Sequence, residues 1–541
     1  MTENKELKRI LDSVDDMTTE ELCGQVLCLD LSEKDDSAEV ESLIEKMKPG
    51  GIFIDNISKK KSDLFLSIAN KYSVTPVIVA ADIENGPDQF IGYKTCLPHS
   101  MAWGACNNPS FIEEAGELSA KICRARGIHW TFAPVVDINM NFNNPVTNIR
   151  AVSDAPEPVI KIAGAYARGM RKNNLMAVCP KHFPGDGVDD RNQHFCTSVN
   201  SLSKEEWDAT YGKVYSEMIK EGVESIMVAH IALPCYDDDY DPVYGYKPGV
   251  LSEKIITGLL REKLGFNGCI VSDAMSMLGS VTRVNPEKLA STFIAAGGDM
   301  VLFPDDTDSQ NLQNAVNNGE LSLERLKDAV RHVLTMKYNL GLFNEQKYPL
   351  PEGTVERFET VSRLIAEGSV KIVRNEDGVL PLKLPEKGKV LIINMMRPFS
   401  GNAEDERSLD IVNEELIKRG YETRVIVNPK HYLVKKIMND YDCVLINCKM
   451  SSRDYHGGSL RIGWDTIMTF WRGYVLNHKQ VVFTSFGDPY KLYELPFLRT
   501  YINTFSGSES SQRAAVKVIL GEIESTAKNP VSLKGFFDRE I

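Results

Sequence analysis

Short runs of β-branched and other apolar residues alternate with amphipathic stretches along the first two thirds of the chain. Gln25–Leu31, Gly51–Ile54, Pro76–Ile83, Trp130–Ile138, Ala177–Phe183, Ser225–Ile231, Cys269–Met275 and Met300–Pro304 read as strands, eight in all. Runs such as VIVAAD and CIVSDA are apolar at successive positions, the pattern of strands buried on both faces of a parallel sheet. Between them Asn108–Arg126, Pro158–Lys172, Ser203–Glu221 and Ser252–Leu264 read as helices. Eight such units predict an α/β fold with a closed (β/α)8 barrel of the TIM type, although pattern alone leaves an open doubly wound sheet available. The run ends decide between them. Asp82 and Glu84, Asp137 and Asn139, Lys181 and His182, His230 and Asp273 all sit where apolar runs stop. In a barrel these ends converge on one face, where the loops build the site.

A helix over Ser322–Leu340 leads into LFNEQKYPLPEGTV, whose prolines, glycine and charges read as a linker. Apolar runs then recur at Val390–Met395, Thr423–Val427, Cys443–Cys448, Gln480–Phe486 and Thr500–Phe505, predicting a smaller α/β domain of about five strands. The expected division is a barrel over 1–345, a linker over 346–358 and a second domain over 359–541. No solenoid repeat or low-complexity segment is visible.

The 541 residues are 43% hydrophobic and 25% charged, the balance of a folded globular protein. The formal charge of −13 argues against a nucleic-acid partner, whose phosphates call for clustered Lys and Arg. No apolar run approaches the ~20 residues of a membrane span. The polar N-terminus lacks the apolar core of a signal peptide, and the 11 cysteines are odd in number and scattered. A cytoplasmic protein with reduced thiols is expected. With neither a metal-ligand cluster nor a dinucleotide or P-loop signature, no cofactor and no metal are expected. The sequence leaves the oligomeric state open.

Chemistry concentrates in KHFPGDGVDDRNQH, Lys181 to His194. Pro184, Gly185 and Gly187 stop the strand, and Lys181 and His182 at its end suit donation to sugar or carboxylate oxygens. His194, further along the loop, titrates near neutrality and suits a general acid or base. In GFNGCIVSDAMSM, Asp273 ends an apolar strand; such a carboxylate is either a structural cap or a nucleophile toward an anomeric carbon. Asp237–Asp239 reads as a solvated acidic loop, His129 and Trp130 as packing at a strand start, and Cys179 and Cys269 as inert core.

MTTEELCGQ (17–25), ADIENG (81–86), FAPVVDINMNFNNPV (132–146), KHFPGDG (181–187), MVAHI (227–231), LGFNGCIVSDAMSM (264–277) and AGGDMVLFP (296–304) occur in order. Together they resemble glycoside hydrolase family 3, in particular its β-N-acetylglucosaminidase branch. IAEGSVKIVRNEDGVLPL (365–382) and FGDPYKL (486–492) resemble the α/β sandwich that follows the barrel in two-domain members. The resemblance implies a retaining exo-glycosidase that removes a terminal β-linked N-acetylhexosamine from cell-wall or glycan fragments. It implies Asp273 as nucleophile, Asp82, Arg150, Lys181 and His182 as holders of the sugar hydroxyls, and His194 as acid/base oriented by position 192. A small-molecule carbohydrate is the implied partner.

Three positions depart from the branch pattern: Asn192 stands where it has Asp, Asp186 where it has His, and Phe90 where it has a substrate-binding Arg. A carboxylate fixes the imidazole tautomer and stabilises the imidazolium, whereas an amide supplies no charge. The corresponding Asp→Asn change in the serine-protease triad lowers kcat about 10⁴-fold. Asn192 therefore predicts a weakened acid step, with activated aryl glycosides cleaved better than natural disaccharides unless Asp189 or Asp190 takes the role. The neutral pair also repels an incoming phosphate less than a carboxylate would, which keeps phosphorolysis open. A β-glucosidase of the same family and a catalytically weakened sugar-binding homologue are the remaining alternatives.

Overall fold

The apolar runs of the first two thirds form eight parallel strands among the described residues, in the chain order expected. These are β1 (Leu27–Ser32), β2 (Gly51–Asp55), β3 (Ile78–Ala81), β4 (Trp130–Thr131), β5 (Ala177–Val178), β6 (Ser225–Val228), β7 (Cys269–Ser272) and β8 (Val301–Leu302). The structure, a computed structural model, describes residues 5–87, 96–281, 283–344, 347–396, 409–450 and 461–541. Phe90 lies outside them. Strand β8 pairs with β1, and β1 to β5 pair in order. Strand β6 pairs with β7. Single bridges from Phe183 to Val228 and from Val271 to Met300 join the two sets, so the ring closes. Strands β4 and β5 are much shorter than their apolar runs. Pro134, Pro180 and Pro184 lack the N–H that a longer ladder needs, and pairing resumes only at a bridge between Val135 and Lys181.

Alternation along the strands sorts the side chains. Leu27, Leu29, Ile52, Ile54 and Val79 face the helices within the large outer cluster. Cys28, Phe53, Ile78, Ala80, Cys179 and Val271 fill the barrel interior. Two residues beyond this inner packing, on the same inward face, come Asp30, Asp55, Asp82, Lys181 and Asp273. Apolar floor and charged rim are consecutive steps of one period-two pattern.

The second sheet has six strands, one more than expected: β9 (Lys371–Asn375), β10 (Lys389–Met396), β11 (Glu422–Val427), β12 (Cys443–Lys449), β13 (Val481–Ser485) and β14 (Thr500–Asn503). Its spatial order is β9-β14-β13-β12-β10-β11, with β9 antiparallel at the edge. KIVRN is half-buried throughout, so this edge strand lacks the continuous apolar run that marks its neighbours. A helix over Thr354–Ser369 starts within the stretch read as linker. Its Phe358, Val361 and Ile365 pack on the barrel's outer cluster, and Ala366 packs on the second sheet.

The two units share a core. Met101, Ala102 and Ala105 of helix Ser100–Cys106 pack with residues of the second sheet. The chain end folds back on the barrel, where Asp154 takes Arg539 Nη1 at 2.6 Å and the Ser532 N–H at 2.8 Å. Beyond the end of β4 Asn139 Nδ2 donates to Tyr490 OH at 2.6 Å. One expectation is corrected: Asp237 is buried and accepts Ser252 Oγ at 2.6 Å, anchoring its loop, while Asp238 is exposed.

Candidate active site

The loop after β5 reverses sharply because Gly187 adopts φ +107°, and a Cβ there would strike the Ile138 carbonyl oxygen. This turn leaves Lys181 and His182 at the barrel rim and carries the chain on to His194. Lys181 Nζ lies 2.7 Å from Asp82 Oδ1 and 2.8 Å from Glu84 Oε1. Arg150 grips Glu84 with two bonds, Nη2 to Oε1 at 2.7 Å and Nε to Oε2 at 3.0 Å. Its Nη2 also stands 3.5 Å from His182 Nε2. His182 Nδ1 lies 2.6 Å from Asp137 Oδ2, and Asp137 Oδ1 accepts the N–H groups of His182 and Asp186 at 3.1 and 2.8 Å. All four residues expected to hold sugar hydroxyls thus occupy one ion-paired network. Burial pulls the Lys181 ammonium down, but Asp82 and Glu84 outweigh it and hold it above its ordinary value.

Asp273 follows β7 directly and is only partly buried. Its Oδ1 accepts the Ala274 N–H at 2.8 Å. Burial pushes this carboxyl up. His182, His230, His194 and the Ala274 N–H together outweigh it and leave the group below the usual carboxylate range. An ionised carboxylate therefore faces the barrel mouth, near two histidines of the loop after β5 and one that follows β6.

His194 reaches this neighbourhood because its carbonyl accepts the Leu278 N–H at 3.1 Å, tying its loop to the one after β7. Its Nδ1 lies 2.6 Å from Asn192 Oδ1, which also accepts the His194 backbone N–H at 3.0 Å. Of the two substitute carboxylates considered above, Asp189 is committed elsewhere, its Oδ2 accepting Arg191 Nε at 2.8 Å and the Val199 N–H at 2.7 Å, and Asp190 is exposed. Asp186 accepts Asn144 Nδ2 and the Gly187 N–H, and burial beside Asp137 holds it above the ordinary range. Gln193 bridges onward, with Nε2 3.4 Å from Asp186 Oδ2 and Oε1 accepting the His230 N–H at 3.2 Å.

The glycosyl hydrolase family 3 N terminal domain matches residues 18–336, more than half of the chain. The chain belongs to glycosyl hydrolase family 3. A β-N-acetylglucosaminidase/β-glucosidase of Cellulomonas fimi is 30% identical to this family 3 chain over 537 residues, covering 95% of this chain and 94% of its own. A solved β-glucoside phosphorylase bound to 2FGlc superposes with a TM-score of 0.87 at 28% identity, covering 98% of this chain and 97% of its own. A family 3 β-N-acetylglucosaminidase from Paenibacillus sp. str. FPU-7 shares the fold, with a TM-score of 0.83 at 22% identity over 95% of this chain and 99% of its own.

Residue-type reasoning singled out the residues of this network and Asp273 but passed over three polar residues nearby. Gln193 carried no signal, being one amide in a polar loop. Asp30 and Asp55 did carry one: LCLD and GIFID are apolar runs closed by Asp, the same signature that singled out Asp273. Among the described residues no group of three or more His, Cys, Asp or Glu is placed to hold a metal, and no helix is long and apolar enough to cross a membrane.

Proposed function

We propose that this family 3 enzyme is a retaining exo-glycoside hydrolase that releases a terminal β-linked N-acetylhexosamine, with Asp273 as nucleophile. The observation that carries this reading is an ionised, partly exposed carboxylate at the end of β7, held among three histidines at the barrel mouth. The Asp82, Lys181, Glu84, Arg150 and His182 network offers charged donors and acceptors to the hydroxyls of the terminal sugar. In the first step an Asp273 oxygen bonds to C1 as the glycosidic C–O bond breaks, and His194 gives its proton to the leaving oxygen. In the second, neutral His194 takes a proton from water while the water oxygen displaces Asp273 from C1. The activity named for the C. fimi relative supports an N-acetylglucosaminide as substrate and a β-glucoside as a further one. Eleven unbridged cysteines, most of them buried, support a reducing, cytoplasmic location. As part of this reading the barrel is assigned to 1–345, the connector to 346–358 and the second domain to 359–541; the family match, ending at 336, supports it.

Phosphorolysis is the second reading, favoured by the phosphorylase among the solved structures and by the uncharged Asn192 beside His194. Here phosphate replaces water in the second step. One experiment separates the two: a panel of nitrophenyl β-glycosides with wild type and Asp273→Ala, with and without inorganic phosphate. The hydrolase reading expects free N-acetylhexosamine without phosphate and at least about a 10³-fold loss in Asp273→Ala. A sugar 1-phosphate formed only with phosphate present establishes the second reading in its place.

A further inference from the structure

His230 follows β6 by two residues and is fully buried, outside the ion-paired network and without a part in the chemical steps proposed above. It reaches the loops of both reacting groups. Its backbone N–H donates to Gln193 Oε1 at 3.2 Å, and Gln193 immediately precedes His194. Its ring Nε2 lies 2.9 Å from the carbonyl oxygen of Ala274, the residue after Asp273. A carbonyl only accepts, so Nε2 carries the hydrogen of that bond.

Both attachments bear on the reacting side chains. The Ala274 carbonyl and N–H flank one α-carbon, and that N–H donates to Asp273 Oδ1 at 2.8 Å. Fixing the carbonyl therefore limits how far the donor to Asp273 can swing. On the other loop Gln193 is buried, and its Nε2 stands 3.4 Å from Asp186 Oδ2, so both ends of this amide are engaged. The His230 Nδ1 atom is buried with no hydrogen-bond partner among the described residues. Burial holds the ring below the ordinary histidine range against the pull of Asp273, which leaves it neutral near neutral pH. An apolar side chain would fill this space without burying a polar atom, so the bond to Ala274 is what the imidazole adds.

We infer that His230 is a positioning residue that sets the nucleophile Asp273 and the acid His194 in one frame, its ring holding the Ala274 carbonyl and its backbone N–H holding Gln193. This role rests on the glycosidase reading. Wild-type turnover of 4-nitrophenyl N-acetyl-β-glucosaminide, with water or phosphate as acceptor, tests that reading first and by itself.

The role is tested by kcat and KM on this substrate and on an unactivated β-linked disaccharide, in wild type, His230→Leu, His230→Gln and Gln193→Leu. His230→Leu lowers kcat about 100-fold on both substrates with KM within about 3-fold, because both need a well-placed nucleophile. His230→Gln, whose amide reaches as far as Nε2, recovers at least about 10-fold of that loss. Gln193→Leu costs the disaccharide about 30-fold and the nitrophenyl glycoside about 3-fold, since only the poorer leaving group needs a well-placed acid. A His230→Leu kcat within about 3-fold of wild type, or a His230→Gln variant no faster than His230→Leu, overturns the inference and leaves the glycosidase reading intact. Equal losses on the two substrates in Gln193→Leu overturn it as well. Should His230→Leu fail to fold, His230→Asn replaces it, a polar side chain too short to reach the Ala274 carbonyl, with the same outcomes.

Discussion

Asn192 meets His194 through a single side-chain atom. A backbone N–H only donates, so the atom that takes the His194 N–H is the amide oxygen, and that oxygen also faces His194 Nδ1. Nδ1 therefore carries a hydrogen, and in the proposed mechanism Nε2 moves the proton. Orientation is preserved and only the charge is missing. Asn192 Nδ2, meanwhile, is buried without a partner. Asn192→Asp should raise kcat on an unactivated disaccharide about 10- to 100-fold while changing nitrophenyl glycosides by less than about 3-fold, since a good leaving group needs little protonation. The same change buries a second charged oxygen where Nδ2 now sits, so the variant should unfold at about 1–3 kcal/mol lower stability in urea. Steady-state kinetics on both substrate types and a denaturation curve read the two effects separately.

Packing of one loop on another decides where His194 stands. Thr197 Oγ1 donates to the Gly279 carbonyl at 2.8 Å, and Gly279 fits so closely that a Cβ would lie 2.5 Å from the Gln193 oxygen and 2.7 Å from His230 Cβ. Gly279→Ala should lift the acid-bearing loop and lower kcat on an unactivated disaccharide about 10²-fold, with a smaller loss on nitrophenyl glycosides. Equal losses on both would place the defect at the nucleophile. This clamp was not legible in the sequence, because a close approach between two loops leaves no periodic trace. The barrel strands were legible for the opposite reason: burial on both faces writes a continuous apolar run. Strand β9 shows where that signal stops, since KIVRN at a sheet edge buries too little to stand out. Asp30 and Asp55 close apolar runs as Asp273 does, so their place at the strand ends was legible as well.

For the molecule as a whole, stability at the closed end of the barrel turns on a buried lysine. Lys337 is fully buried, and its Nζ bonds Gln25 Oε1 and Thr75 Oγ1 at 3.0 Å each, with no carboxylate in the set. Burial pulls its ammonium down to about 7, against about 10.4 for a free lysine. Between those values the unfolded chain holds a proton that the folded chain does not, so this residue's contribution to stability rises with pH. Its cost is full below about pH 7 and fades toward about pH 10. Lys337→Met should therefore be more stable than wild type at pH 6, with the gap closing by roughly 3 kcal/mol by about pH 9.5. Urea unfolding at both values measures it; a gap independent of pH would contradict a buried, titrating amine.

The most direct test of the central claim is covalent. Wild-type protein incubated with an activated 2-deoxy-2-fluoro glycoside, then digested and mapped by mass spectrometry, should carry one sugar on the peptide containing Asp273. Asp273→Ala should carry none. A sugar attached to another carboxylate, or no adduct while the same preparation turns over substrate, would contradict the assignment of Asp273 as nucleophile.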